Sequence, residues 1–107
     1  MNKIAKSQIV KNVVLNNSST SVVIDSTNIY VYFFQVKGTN GAGSAGSIVV
    51  EQSLDGITYY PVTSIAFTGN SSNLYTNTFP ASYLKLTLNE TNSANVTFNV
   101  LYLGKSF

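Results

Sequence analysis

Apolar and polar residues alternate most cleanly near the end of the chain. Between Tyr83 and Asn89, Leu84, Leu86 and Leu88 share one parity, and Tyr83, Lys85, Thr87 and Asn89 share the other. This is the period-two pattern of a strand buried on one face. Val96, Phe98, Val100 and Tyr102 repeat it over Val96–Leu103. At the start, Gln8–Leu15 is rich in valine, with Lys11 on the parity of Ile9, Val13 and Leu15. It reads as an edge strand blunted by Lys11. Thr20–Asp25 is a second short strand, set off by the turn clusters Asn16–Ser19 and Ser26–Asn28. Asn28–Lys37 is the most apolar segment, and both of its parities are apolar. One carries Tyr30, Tyr32 and Phe34, the other Ile29, Val31 and Phe33. A strand in a two-sheet sandwich turns only one face inward. Either loops or the N-terminal arm cover the other face, or Tyr30, Tyr32 and Phe34 form an aromatic patch for a partner subunit.

The stretch Gly38–Tyr60 joins a glycine-rich loop, a β-branched strand and an aromatic strand. Gly38, Gly41, Gly43 and Gly46 predict a surface loop, either mobile or ordered against a neighbour. Ser47–Ser53 predicts a strand, Leu54-Asp55-Gly56 a tight hairpin turn and Ile57–Val62 the returning strand, with Pro61 favouring an edge. Ile65–Phe67 and Leu74–Phe79 are weaker strands. About eight short strands, regular turn signals and no helical periodicity predict an all-β fold: an antiparallel two-sheet β-sandwich, immunoglobulin-like or jelly-roll. The chain reads as one domain over residues 1–107, with residues 1–7 a basic arm.

Composition sharpens the picture at the surface. Only 9% of the 107 residues are charged, against about 25% in an average domain. Asn, Ser and Thr supply the polarity instead. So weakly charged a surface favours association. The net charge is +2, and every basic residue is a lysine. Lys3, Lys6 and Lys11 precede the first acid, Asp25, and make a basic arm that suits an acidic partner surface or simply solvent. Without arginine, the bidentate reader of phosphate and guanine, direct nucleic-acid binding is not expected. The longest apolar run, Ile29–Phe34, is far short of the ~20 residues of a membrane helix. The first residues lack the apolar segment and cleavage site of a secretory signal, so none is expected.

Chemistry is scarce. The chain has no His and no Cys, which removes the usual general base, nucleophile and soft metal ligands. The acids are Asp25, Glu51, Asp55 and Glu90. A two-carboxylate glycosidase would have to use Glu51 and Asp55, yet a strand face and a turn already account for them. Gly41-Ala-Gly43-Ser-Ala-Gly46 matches a dinucleotide fingerprint in letters, but a β pattern follows where a helix N-terminus must receive the phosphate. Ser53-Leu-Asp55-Gly56-Ile-Thr58-Tyr59 approximates a sialidase box with one residue missing, and it occurs once. No catalytic residue, cofactor or metal is expected.

The assembled pattern runs over residues 38–105: a Gly-rich loop, V-V-E-Q-S-x-D-G-x-x-Y-x-P-V, then F-x-A-x-Y-L-K-L-x-L and V-T-F-N-V-x-Y-L-G-K. It resembles small β-sandwich virion proteins of tailed bacteriophages, in which S-x-D-G-x-x-[WY] marks a hairpin. The counterparts here are Ser53, Asp55, Gly56 and Tyr59, followed by Tyr83–Leu86. The Lys-only, Asn- and Ile-rich composition is similar to that of AT-rich genomes such as those of crAss-like phages. The resemblance implies a non-enzymatic auxiliary (decoration) protein of a phage capsid, located in the virion and made in the host cytoplasm. It would bind the major capsid protein and copies of itself or other virion proteins, with Lys3, Lys6, Lys11, Tyr30, Tyr32 and Phe34 as the interface. Carbohydrate-binding modules share the S-x-D-G hairpin. The alternative is therefore a glycan-binding module that stacks sugars on Tyr32, Tyr59, Tyr60 or Tyr75.

Overall fold

A computed structural model describes residues 5–78 and 80–105. Eight strands follow one another: β1 (Ala5–Leu15), β2 (Ser19–Asp25), β3 (Val31–Thr39), β4 (Ala45–Ser53), β5 (Tyr60–Thr68), β6 (Ser71–Thr78), β7 (Tyr83–Glu90) and β8 (Val96–Lys105). They form two four-stranded sheets, ordered β1-β8-β3-β6 and β2-β7-β4-β5, and every pairing is antiparallel. The pairs β1·β8, β2·β7, β3·β6 and β4·β5 are nested, as in one long ribbon folded at its middle. Successive segments of the ribbon fall in opposite sheets. This is jelly-roll winding, which resolves the topology that the sequence left open.

Alternation builds the core. Leu84, Leu86 and Leu88 of β7 face Val96, Phe98 and Val100 of β8 across the sandwich, all buried. Phe67 meets Phe98 edge to face, with centroids 5.2 Å apart at 89°. Phe34 packs on Tyr102 at 5.3 Å and on Tyr32 at 5.6 Å. The expectation that Tyr32 and Phe34 form a partner interface is therefore corrected: both are core residues. Strand parity is the reason. Tyr32 and Phe34 share their face with Val36 and Gly38, whereas Val31 and Phe33 share theirs with exposed Gln35 and Lys37. The parity that ends in Gln and Lys goes to solvent. Tyr30 precedes β3, half-buried, and its N–H donates to the Lys105 carbonyl at 2.6 Å.

The glycine-rich segment is also corrected. Gly38 lies in β3, Gly46 in β4, and both Gly38 and Gly41 are buried; of the glycines expected on a surface loop, only Gly43 is exposed. A Cβ at Gly41 would sit 2.6 Å from the Gly69 carbonyl oxygen, and one at Gly46 would collide with the Asn89 carbonyl. Here glycine allows backbones to approach closely. It does not loosen a loop. β5 is likewise one strand from Tyr60, where two short ones were expected, with a register shift opposite Val50 and Glu51. The basic arm is shorter than expected. Ala5, Lys6 and Ser7 pair with Lys105, Gly104 and Leu103, and Lys3 lies outside the described residues.

Glu90, read from the sequence as part of a polar loop, closes one end of the sandwich. Only 2% of its surface is exposed. Its Oε1 accepts from the N–H groups of Asn17 at 2.7 Å, Asn92 at 3.2 Å and Ala94 at 3.3 Å. Its Oε2 accepts from the Ser44 hydroxyl at 2.9 Å and the N–H groups of Ala45 at 3.1 Å and Asn92 at 3.2 Å. One carboxylate thus binds the β1–β2, β3–β4 and β7–β8 connections. Burial by itself raises its pKa, but the bonds from Asn17, Ala45, Ser44 and Asn92 outweigh burial and hold it at about 2, against an ordinary 4.5.

Two outcomes follow from this packing. Leu86→Ala will cost about 2–5 kcal/mol in urea denaturation, whereas exposed Leu54→Ala will stay within about 0.5 kcal/mol of the parent. For Glu90, folding lowers the pKa, so its contribution is complete above pH 4.5, declines as the pH falls and is gone below about 2. Glu90→Gln will be less stable than the parent at pH 7. The gap between the two, followed by denaturation across pH, will close as the pH approaches 2.

Candidate functional site

The opposite end of β4 carries the β4–β5 hairpin, residues 54–59, and its geometry starts at Ser53. The Ser53 hydroxyl accepts from the N–H groups of Asp55 at 3.2 Å and Gly56 at 2.9 Å, and donates to Asp55 Oδ1 at 2.9 Å. The same Oδ1 accepts from the N–H groups of Ile57 at 2.8 Å and Thr58 at 2.9 Å. These interlocked turns follow from short Ser and Asp side chains that satisfy nearby backbone donors. Gly56 takes a φ of 76°, a left-handed value that glycine adopts without strain. The N–H groups of Thr58 and Ile57, then the Ser53 hydroxyl, hold the Asp55 carboxyl below its ordinary pKa.

The loop is longer than the Leu54-Asp55-Gly56 turn expected, because Asp55 captures donors as far as Thr58 and β5 starts at Tyr60 rather than Ile57. Tyr59 is half-buried, its ring under Lys85 Nζ at 5.0 Å from the centroid. Among the described residues, the most exposed large apolar side chains are Ile57, Leu54 and Tyr60, at 84%, 81% and 69%. All three belong to this hairpin or its exit. Beside them lies a groove of about 410 Å³, whose walls include Gln52, Asp55, Thr58, Tyr60, Val62 and Ala81. The result is an apolar prominence on a hydrogen-bonded turn, with a shallow, partly polar groove at its base.

The other expected site residues do not join it. Lys6 and Lys11 lie on β1, in the other sheet, and Lys11 stands opposite Val100. Tyr32 is in the core. Among the described residues, no three of His, Cys, Asp and Glu gather where they could hold a metal ion. The sequence pointed to the hairpin through Ser53, Asp55 and Gly56, but not to Leu54 and Ile57. Their signal was two large apolar residues flanking an Asp-Gly turn, where polar residues are usual.

No family model matches the chain, and no curated protein matches it in sequence. Solved structures do match in fold. The phage PBSX exported protein XepA superposes with a TM-score of 0.70 at 14% identity, over 94% of this chain and 37% of XepA, so the chain spans little more than a third of that protein. A protein of Bacillus endospore appendages, described as disulfide-linked pili, gives 0.59 at 18% identity over 99% of this chain and 90% of that one. The enzymatically active domain of bacteriophage CBA120 tailspike protein 4 gives 0.53 at 12% identity, over 94% of this chain and 19% of that one. At these identities the likeness establishes a shared β-sandwich fold.

Proposed function

We propose that this chain is a non-enzymatic structural protein of a tailed-phage particle, an auxiliary protein that decorates the head by docking the β4–β5 hairpin onto the major capsid protein. The observation that carries this reading is the exposure of Leu54 and Ile57 on a turn braced by Ser53 and Asp55, and of Tyr60 where β5 leaves it. Apolar and aromatic residues held rigidly in solvent lose little entropy when a protein surface covers them. The 9% charge content supports the reading, since little charge must be desolvated on assembly. So does the fold shared with domains of phage proteins. The Asp55 carboxylate is engaged by the backbone of its own turn, and Glu51 sits along strand β4, which favours binding over catalysis.

The groove beside Tyr60 favours a second reading, a glycan site in which the ring stacks on a sugar face while Gln52, Thr58 and Asp55 offer polar contacts. The two readings separate in one experiment. Phage heads prepared without the protein are mixed with the purified chain, and binding is followed by co-sedimentation. A Leu54→Ser/Ile57→Ser variant will bind at least about tenfold more weakly, because losing a buried apolar anchor costs more than about 1–2 kcal/mol. Val14→Ser, exposed in the other sheet, will bind as the parent does. Absence of binding to heads, together with Tyr60-dependent hits on a glycan array, would favour the glycan site instead.

A further inference from the structure

Each sheet ends in two edge strands, β1 and β6 in one, β2 and β5 in the other. An edge presents unpaired N–H and C=O groups to any extended chain unless charge, proline or a bulge blunts it. β1 carries Lys6 and Lys11 and a register shift between Ile9 and Lys11. β2 runs beside β1 and ends on Asp25. β6 (SSNLYTNT) also lacks charge, proline and a register shift, but six of its eight residues are Asn, Ser or Thr, so it has little apolar surface to bury against a second chain. β5 is different. Pro61 and a register shift protect its start, but Thr63–Thr68 has neither, and the whole strand holds no charged residue. Ile65 stands in register with fully buried Ile48, yet is 36% exposed, because no strand lies beyond it.

We infer that the Thr63–Thr68 edge pairs antiparallel with the same edge of a second copy, joining two four-stranded sheets into one of eight. The occupant follows from strand parity. Thr63, Ile65 and Phe67 share the inward parity, while Ser64 and Ala66 face out, exposed and small. A two-fold axis must match inward with inward residues, so it passes through a residue and not between two. Centred on Ile65, it places Ile65 on its own copy, Thr63 on Phe67 and Ser64 on Ala66. The exposed isoleucine is then covered by its equivalent, which is a self-complementary arrangement. No like charges meet along the paired strands, because β5 has none. The inference stands apart from hairpin docking, since its test uses the purified protein alone.

Sedimentation equilibrium at ~100 µM suits an interface at the small end of stable ones. It will show a mass twice the 11.5 kDa of the chain. Ile65→Lys, with an unchanged circular dichroism spectrum, will weaken the dimer at least about tenfold. A second variant does not depend on disruption. The chain has no cysteine, and residues directly opposite in an antiparallel pair lie about 4.5–5.5 Å apart at Cα, within disulfide reach. Ile65→Cys will therefore form a covalent dimer under mild oxidation, and Val14→Cys will not. A monomeric parent at ~100 µM, an undiminished Ile65→Lys dimer, or equal cross-linking of Val14→Cys would each overturn the inference.

Discussion

The Glu90 carboxylate stands where three connections of the jelly roll meet, and the closure of that end depends on it. A buried anion is unfavourable unless its lone pairs are satisfied. Asn17, Ala45, Asn92 and Ala94 supply backbone N–H donors and Ser44 its hydroxyl, and all of them lie in the three connections or at the first residue of β4. The anion and the loops thus solve one another's desolvation problem. β4 begins at this knot and leaves it to run the length of the sandwich. The hairpin at its far end therefore rises from a strand anchored at its origin and paired on both sides.

The two ends of the molecule consequently differ in character. One is closed by hydrogen bonds around a carboxylate. The other ends in an apolar loop whose backbone is already ordered. Ser53 and Asp55 hold that loop without help from the core, so Leu54 and Ile57 stay in solvent, where collapse onto the sheet would otherwise hide them. Preorganisation of this kind lowers the entropic cost of binding. Few charges elsewhere on the surface compete with that patch.

The sequence showed some of this plainly and concealed the rest for physical reasons. β7 and β8 were readable because each has one apolar parity and one polar parity. In β3 the aromatic run concealed the parity, although Gln35 and Lys37 at its end already marked the outward face. The glycines of the β3–β4 segment look like flexibility in one dimension, and their role is visible only when Gly69 and Asn89 arrive from distant parts of the chain. Glu90 was also legible in part. It continues the inward parity of Leu84, Leu86 and Leu88, and a charged residue in that place demands a cluster of donors. The donors themselves come from separate connections, which no local pattern shows. The Ser-x-Asp-Gly turn was clear because its chemistry is local, but its full length depended on how far the Asp55 carboxylate reached.

Amide hydrogen exchange on intact particles, compared with the free protein, tests the docking account most directly. The account predicts added protection concentrated at Leu54–Tyr60, with the Glu90 connections equally protected in both states. Protection confined to β1 or the outer face of β3, with the hairpin exchanging as freely as in solution, would contradict it.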